Sequence, residues 1–179
     1  MAQFKTLTPN VEVNGETIQS FINGMGSYQS IFEHTLKENG ITKPQKGEWY
    51  SQQDWLNSFS VIAQKTGPAT LKMIGKQIIH TAVWPPDVNT INKALASIDV
   101  AYHLNHRGGE IGHYQYEKLA ERKARITCNN PYPCDFDLGV ISGAINKFAV
   151  PQDRPVIVHE DINICRKNHG DICVYIITW

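Results

Sequence analysis

The sequence predicts an α+β fold in which an N-terminal helical layer packs on an antiparallel sheet, with the element order ααααββαββ. Two observations predict it. Apolar residues recur at helical spacing over roughly the first hundred positions. After Arg107, Gly108 and Gly109 the period changes from helical to alternating. Segregated helices and strands are typical of α+β folds, and 179 residues are the length of one domain, here 1–179.

The first predicted helix covers about 17–38, because eight apolar residues recur there at helical spacing. Gly24 and Gly26 interrupt the pattern and predict a kink or a close packing contact. Asn39 and Gly40 follow as a C-terminal cap.

Three more helices are predicted before the change of period. Ser51 resembles the first residue of a capping box at the start of helix two. Pro68 suits the first turn of helix three, and Gly75 inside that helix predicts close packing. Asp87 or Asn89 can cap helix four.

The second half of the chain is predicted to contain four strands and one helix. The strands cover 111–116, 123–128, 155–164 and 171–178, and the helix covers Cys134–Phe148. A sheet of this size covered by helices often encloses an apolar pocket. The residues that we expect to line this pocket are Phe59, Ile62, Trp84, Tyr102, Tyr114 and Phe148.

The composition argues against several classes of partner. The formal net charge is zero, so the chain has no electrostatic footprint for nucleic acid or an anionic membrane. No apolar run approaches the roughly 18 residues of a transmembrane helix, and the polar N-terminus lacks the apolar region of a signal peptide. We therefore expect a cytoplasmic protein, whose cysteines are reduced or metal-bound.

All four cysteines lie in the last third of the chain and predict a metal site. Cys128 and Cys134 flank an Asn-Pro-Tyr-Pro turn, and Cys165 and Cys173 flank a polar hairpin turn. Structural zinc typically takes its ligands in pairs from two turns, so we expect zinc held by these four residues. Two alternatives remain open: reduced thiols that only pack, and thiols that form disulfides as a redox switch.

The end of the chain resembles the 4-vinyl reductase domain family. The resemblance rests on the Cys-Arg step at Cys165, the Gly-Asp step that follows and Cys173 before an apolar strand. The Leu-x-x-Ile-Gly-Lys phrase around Gly75 is similar to that family as well. The resemblance implies a sensor domain that binds an aromatic compound, with zinc held by the two hairpin cysteines, an earlier cysteine and an acid. It also implies a fold similar to the haem–nitric-oxide sensor domains.

The chain departs from these families at two functional positions. The acid expected three residues before Cys165 is Ile162 here, and Glu160, Asp161 or a cysteine can substitute for it. The Tyr-x-Ser-x-Arg motif of the haem sensors is absent, since Tyr116 is followed by Glu-Lys-Leu-Ala-Glu-Arg, and so the motif does not support haem. If haem or another tetrapyrrole is bound, its candidate ligands are His80, His103 and His106.

We predict a small ligand-binding or sensor domain for a hydrophobic or aromatic molecule. The sequence contains no Gly-rich phosphate loop, nucleophile elbow or paired catalytic carboxylates, so we expect a binding domain rather than an enzyme. The alternatives are a tetrapyrrole-related enzyme, carrier or haem-binding protein, and a thiol redox switch. Because the chain carries no output domain, we expect a homodimer formed through the apolar stripes of helices one and two.

Overall fold

A computed structural model describes residues 3–82 and 84–179. It confirms the predicted α+β architecture, in which helices from the first half of the chain pack on an antiparallel sheet from the second half. No helix in the described ranges is long and apolar enough to cross a membrane.

The elements follow one another along the chain, with short 3₁₀ turns at Gly26–Tyr28, Ile162–Ile164 and Arg166–Asn168. In order they are β1 (Glu12–Asn14), α1 (Gly15–Gly24), α2 (Gln29–Glu38), β2 (Trp49–Ser51), α3 (Gln52–Thr66), α4 (Pro68–Thr81), α5 (Ile91–Leu104), β3 (His106–Arg107), β4 (His113–Ala120), β5 (Lys123–Asn129), α6 (Cys134–Phe148), β6 (Val156–His159) and β7 (Cys173–Thr178).

The first predicted helix is two helices. Gly26 has a φ of 51°, a left-handed value that does not occur inside an α-helix. The 3₁₀ turn that it begins separates α1 from α2. The glycines therefore mark the position where the helix changes, but the change is a break between two helices and not a kink in one.

Side-chain caps fix where the other helices begin. The Ser51 hydroxyl accepts a hydrogen bond from the Asp54 amide at 3.2 Å, as predicted for α3, and Pro68 opens α4. Neither of the residues predicted to cap α5, Asp87 and Asn89, is its N-terminal cap. Thr90 takes this role, because its hydroxyl accepts a hydrogen bond from the Lys93 amide at 3.3 Å.

Two separate antiparallel sheets form. The larger sheet has the strand order β4-β5-β7-β6, and α6 connects β5 to β6. A small sheet with the order β2-β1-β3 joins the N-terminal arm to the ends of the helical layer. The sequence did not predict β2 or β3, since strands of two or three residues are too short to display a period.

The third strand of the larger sheet is shorter than the predicted 155–164. β6 ends at His159, and a 3₁₀ turn follows at Ile162–Ile164. Asp161 accepts a hydrogen bond from the Asn163 amide at 2.9 Å. This local bond starts a helical turn in place of a continued strand.

Helices α4 and α6 cross with their backbones in contact. A Cβ atom at Gly75 would lie 2.3 Å from the Phe136 carbonyl oxygen, and one at Gly139 would lie 2.2 Å from the Lys72 carbonyl oxygen. Only glycine allows such an approach, so the close packing predicted at Gly75 is confirmed. The crossing fixes α6, which carries residues of the candidate site.

The apolar stripes predicted to form a dimer surface are covered within the chain. Phe21, Phe32, Trp55 and Phe59 are buried and pack with ring centroids 4.3–5.8 Å apart. They join α1, α2 and α3 into the main core. Most of the predicted dimer surface therefore already has partners within the chain, although Tyr28 and Ile31 are 42% and 43% exposed, and homodimerisation stays a prediction.

Candidate metal centre and ligand cavity

Three of the four cysteines meet where α6 begins and the last hairpin returns to the sheet. Cys134 is the first residue of α6, Cys165 lies between two 3₁₀ turns and Cys173 is the first residue of β7. Their sulfur atoms are 2.9 Å (Cys134 to Cys173), 3.3 Å (Cys134 to Cys165) and 3.4 Å (Cys165 to Cys173) apart. All three are buried. Sulfurs this close can bind one ion together, as thiolates do in tetrahedral zinc sites. We call these residues the thiol cluster.

Hydrogen bonding within the thiol cluster favours one thiolate. The contact between the sulfurs of Cys134 and Cys173 raises the pKa of Cys134 and lowers the pKa of Cys173 well below its usual range. The neighbouring side chains of His159 and Arg166 also lower the pKa of Cys173. Burial raises the pKa of Cys165. A thiolate is the form in which cysteine binds a metal cation.

Cys128, the remaining predicted ligand, lies outside the thiol cluster. It is the register partner of Cys173 across β5 and β7. Burial and the nearby carboxylate of Asp137 raise the pKa of its thiol. Three of the four predicted metal ligands are thus brought together and the fourth is not.

The two acids proposed as substitutes are engaged elsewhere. Glu160 forms an ion pair with Arg125 at 3.0 Å. Asp161 accepts hydrogen bonds from the backbone and side-chain nitrogens of Asn163 at 2.9 and 3.0 Å. Both acids are exposed, whereas the thiol cluster is buried.

A buried ion pair lies beside the thiol cluster. Arg166 pairs with Asp137 in the first turn of α6, and both side chains are 0% exposed. Asp137 also accepts a hydrogen bond from the Tyr114 hydroxyl at 2.5 Å. Arg166 donates to the carbonyl oxygens of Asn130 and Tyr132. Burial raises the pKa of Asp137 to about 6, while Arg166 and Tyr114 oppose this by stabilising the carboxylate.

The sequence analysis did not predict this ion pair, although the position of Asp137 in its helix indicated a buried carboxylate. Asp137 lies three residues after Cys134 and four before Ile141, within the apolar stripe of its helix. A carboxylate in such a stripe needs a buried partner. The sequence alone does not say that the partner is Arg166, which is 29 residues away.

An apolar cavity of about 450 Å³ lies between α4, α5 and α6. Val100 and Leu104 line it and are 61% and 73% exposed, so the cavity opens to solvent beside α5. Its size falls in the range of small-molecule sites, about 300–1,000 Å³. The polar groups in its wall include the side chains of Tyr102, His106, Tyr114 and Tyr132.

The predicted pocket residues divide into two groups. Trp84, Tyr102 and Tyr114 line the cavity. Phe148 does not line it but packs behind Trp84, with ring centroids 5.0 Å apart. Phe59 and Ile62 are buried in the core away from the cavity wall.

Two of the three candidate haem ligands lie outside the cavity. His80 is exposed on α4. His103 is exposed on α5, where its Nδ1 lies 2.9 Å from the Asp99 carbonyl oxygen. His103 and His106 do not share a helix, because α5 ends at Leu104 and His106 belongs to β3.

His106 lines the cavity, but both of its ring nitrogens have partners. Nδ1 lies 2.8 Å from the Tyr102 carbonyl oxygen, and Nε2 lies 2.7 Å from the Tyr132 hydroxyl. A carbonyl can only accept, so Nδ1 carries the proton and Nε2 accepts from Tyr132. Burial lowers the pKa of His106 to about 4, and the ring is therefore neutral near pH 7.

Comparison with known proteins identifies the fold. No protein-family model matches the sequence, and no curated protein matches it. Solved H-NOX structures do match. One is an H-NOX protein from S. oneidensis in the Fe(II) ligation state, with 16% identity, a TM-score of 0.70 and coverage of 92% of this chain and 95% of that one. Another is an oxygen-binding H-NOX domain related to soluble guanylate cyclases, with 16% identity, a TM-score of 0.67 and coverage of 92% and 94%.

A third H-NOX structure, determined to probe haem distortion, has 16% identity, a TM-score of 0.68 and coverage of 93% of this chain and 94% of that one. At this identity the likeness concerns the fold. The predicted similarity in fold to the haem–nitric-oxide sensor domains is therefore confirmed, whereas membership of the 4-vinyl reductase family stays a prediction. The chain has an H-NOX-like fold.

Proposed function

We propose that this chain is a small-molecule sensor domain that binds an apolar or aromatic compound other than haem in the cavity between α4, α5 and α6. The observation that carries the proposal is the cavity itself, which is apolar, opens to solvent and has hydroxyl groups in its wall. Sites of this kind bury most of a small ligand and use a few polar groups to orient it.

Haem, which the fold suggests, does not fit the residues present. Haem iron takes an axial ligand from His, Cys, Met or Tyr. The tyrosines of the cavity wall, Tyr102, Tyr114 and Tyr132, have their hydroxyls hydrogen-bonded within the chain. Among the described residues that line the cavity, His106 is the only histidine, and its Nε2 lone pair is used by the Tyr132 hydroxyl. We therefore derive no role for haem iron in this chain.

The hydroxyl groups of the cavity favour a ligand that donates a hydrogen bond. Tyr102 donates to the Ile111 carbonyl oxygen at 2.6 Å, Tyr114 donates to Asp137, and Tyr132 donates to His106. Each hydroxyl has one proton and two lone pairs. With the protons committed elsewhere, these oxygens offer the ligand acceptors only, which suits a phenol or an aromatic amine.

A chain of buried contacts joins the cavity to the thiol cluster. The Tyr114 ring lines the cavity, its hydroxyl bonds Asp137, and Asp137 pairs with Arg166, which follows Cys165 directly in the sequence. A ligand that moves Tyr114 would therefore act on the last hairpin. Such a contiguous polar network is the physical route by which a sensor can pass on binding.

We propose zinc at the thiol cluster as the element that holds this hairpin in place. Three sulfurs within 3.4 Å of one another match a metal better than a disulfide, since a disulfide joins two and leaves the third unused. Protein purified without an affinity tag should contain one zinc per chain, and Cys165→Ser should lose it. Zinc-free wild-type protein would contradict this part of the proposal.

Calorimetric titration with phenol and toluene tests the cavity. Phenol should bind more tightly than toluene, because only phenol can donate to the tyrosine oxygens. Ala101→Phe, at a position in the cavity wall, should abolish binding of both compounds. Ala69→Phe, at an exposed position on α4 outside the wall, should leave binding unchanged. Equal affinity in both variants would contradict the location of the site.

A further inference from the structure

The thiol cluster supplies three ligands, and tetrahedral zinc requires a fourth. The candidates from the sequence do not provide it. The Cys128 thiol interacts with the buried carboxylate of Asp137, and Glu160 and Asp161 are exposed and bonded to other residues. In a closed structural site the fourth ligand is also a side chain, and here it would have to lie next to the sulfurs.

We infer that His159 is this fourth ligand and that the site is a Cys₃His zinc centre formed with Cys134, Cys165 and Cys173. The inference rests on the zinc part of the proposed function. It assigns a metal-binding role to a residue in β6, the edge strand of the larger sheet.

The position of His159 in the sheet places its ring on the side of Cys173, one member of the thiol cluster. Along β6 the side chains of Val156 and Val158 are exposed, and those of Ile157 and His159 are half-buried. His159 is the register partner of Tyr175, and their rings lie 5.0 Å apart. Cys173 precedes Tyr175 by two residues and shares its buried face. Diagonal neighbours of this kind are within reach of long side chains.

The hydrogen bonding of His159 is incomplete in the way expected of a metal ligand. Both ring nitrogens are buried, and neither has a hydrogen-bond partner among the described residues. A buried, unpaired imidazole is costly, and coordination of one nitrogen to zinc removes that cost. The ring lies close enough to the Cys173 thiol to lower its pKa as a donor, but the contact lacks the geometry of a full hydrogen bond.

The surroundings suit the charge of such a centre. Zinc with three thiolates and a neutral imidazole carries one net negative charge. The Arg166 backbone amide lies 3.4 Å from the Cys173 sulfur and donates to it. The guanidinium of the same residue stabilises the anionic forms of Cys134 and Cys173. Donors to the ligand atoms typically orient and stabilise a metal site.

X-ray absorption at the zinc edge, measured on the full wild-type chain, tests the ligand set. The expected spectrum has three sulfur neighbours at about 2.3 Å, one nitrogen at about 2.0 Å and the multiple scattering of an imidazole ring. Four sulfurs, or three sulfurs with a non-imidazole oxygen, would overturn the assignment and leave zinc binding intact. Failure of the wild-type chain to bind zinc at all would overturn the assignment together with the zinc proposal.

A matched pair of variants identifies the histidine. His159→Asn should lose the imidazole signal and weaken zinc binding, in competition with a chelator, by at least about 10-fold. His169→Asn is the control, because His169 is an exposed residue of the same hairpin with a φ of 65° that asparagine tolerates. An imidazole signal that persists in His159→Asn would overturn the inference. If that variant does not fold, the wild-type and His169→Asn spectra still decide whether a histidine other than His169 binds the metal.

Discussion

The ion pair between Arg166 and Asp137 is fully buried, so the stability of the fold should depend strongly on it. Both charges are withdrawn from water, and removal of one partner leaves the other buried and unpaired. We expect Asp137→Asn to lower the free energy of unfolding by about 3–5 kcal/mol, measured by urea denaturation. Glu117→Gln, which breaks the exposed pair with Arg125, should change stability little. Similar losses in the two variants would contradict the importance of burial.

His106 predicts an acid-sensitive fold. Its pKa falls from 6.5 in the unfolded chain to about 4 in the folded one. Between pH 6.5 and about 4, His106 is therefore protonated in the unfolded chain but not in the folded one. The free energy of unfolding decreases over this interval as the pH falls. The difference amounts to about 3 kcal/mol. Above pH 6.5 this residue has no effect on the pH dependence.

The test for His106 is the pH dependence of urea denaturation between pH 7 and pH 4.5. His106→Gln should lose less free energy of unfolding over this interval than the wild-type protein. Because all other titrating groups are common to the two proteins, the difference isolates the imidazole. Parallel curves would mean that His106 takes up its proton equally in both states.

At the scale of residues, the sequence predicted which thiols meet better than it predicted their buried neighbours. It named the three cysteines that the structure brings together, because thiols at two turns are typical of a metal site; zinc binding by them stays a prediction. It added Cys128, which lies on the adjacent strand but is turned toward Asp137. It did not predict the position of His159, since nothing local in a strand shows that a half-buried imidazole lacks a partner. Side-chain direction at this precision depends on register, which single sequences do not specify.

The elements are held in place by the crossing of α4 and α6. We expect Gly139→Ala to cost about 1–3 kcal/mol in thermal or urea unfolding, because its Cβ would meet the Lys72 carbonyl oxygen at 2.2 Å and backbone cannot move aside easily. Gly24→Ala is the comparison, since the nearest atom to its Cβ would be the Gln77 Cγ at 1.9 Å, which rotation about χ1 can move, whereas a backbone carbonyl cannot rotate away; we expect a smaller loss there. If Gly139→Ala is as stable as Gly24→Ala, the helices do not depend on this close approach.

At the scale of elements, local chemistry predicted the boundaries that caps determine. Ser51 and Pro68 opened their helices as expected, because capping requires only neighbouring residues. The sequence did not predict the helix break at Gly26 or the end of β6 at His159. In both places a local turn replaces the regular helical or strand pattern that the sequence shows. The short strands β1, β2 and β3 depend on pairing between distant segments, which a local sequence pattern does not specify.

The whole molecule combines an H-NOX-like fold with a cavity whose described lining residues include no histidine with an unengaged Nε2. The architecture was predictable because the change of period near residue 109 divides helices from strands. The location of the cavity was only half predictable, since Phe59 and Ile62 have the same apolar character as the residues that line it. Whether an apolar side chain faces a cavity or the core is set by packing across the whole domain.

Native mass spectrometry of the untagged protein tests the central claim most directly, because one spectrum reports the metal and any tetrapyrrole together. The claim is that this fold operates here without haem and with a zinc-held hairpin behind its cavity. The account predicts a chain that carries one zinc ion and no haem. A mass that includes haem, or a folded chain without zinc, would contradict it.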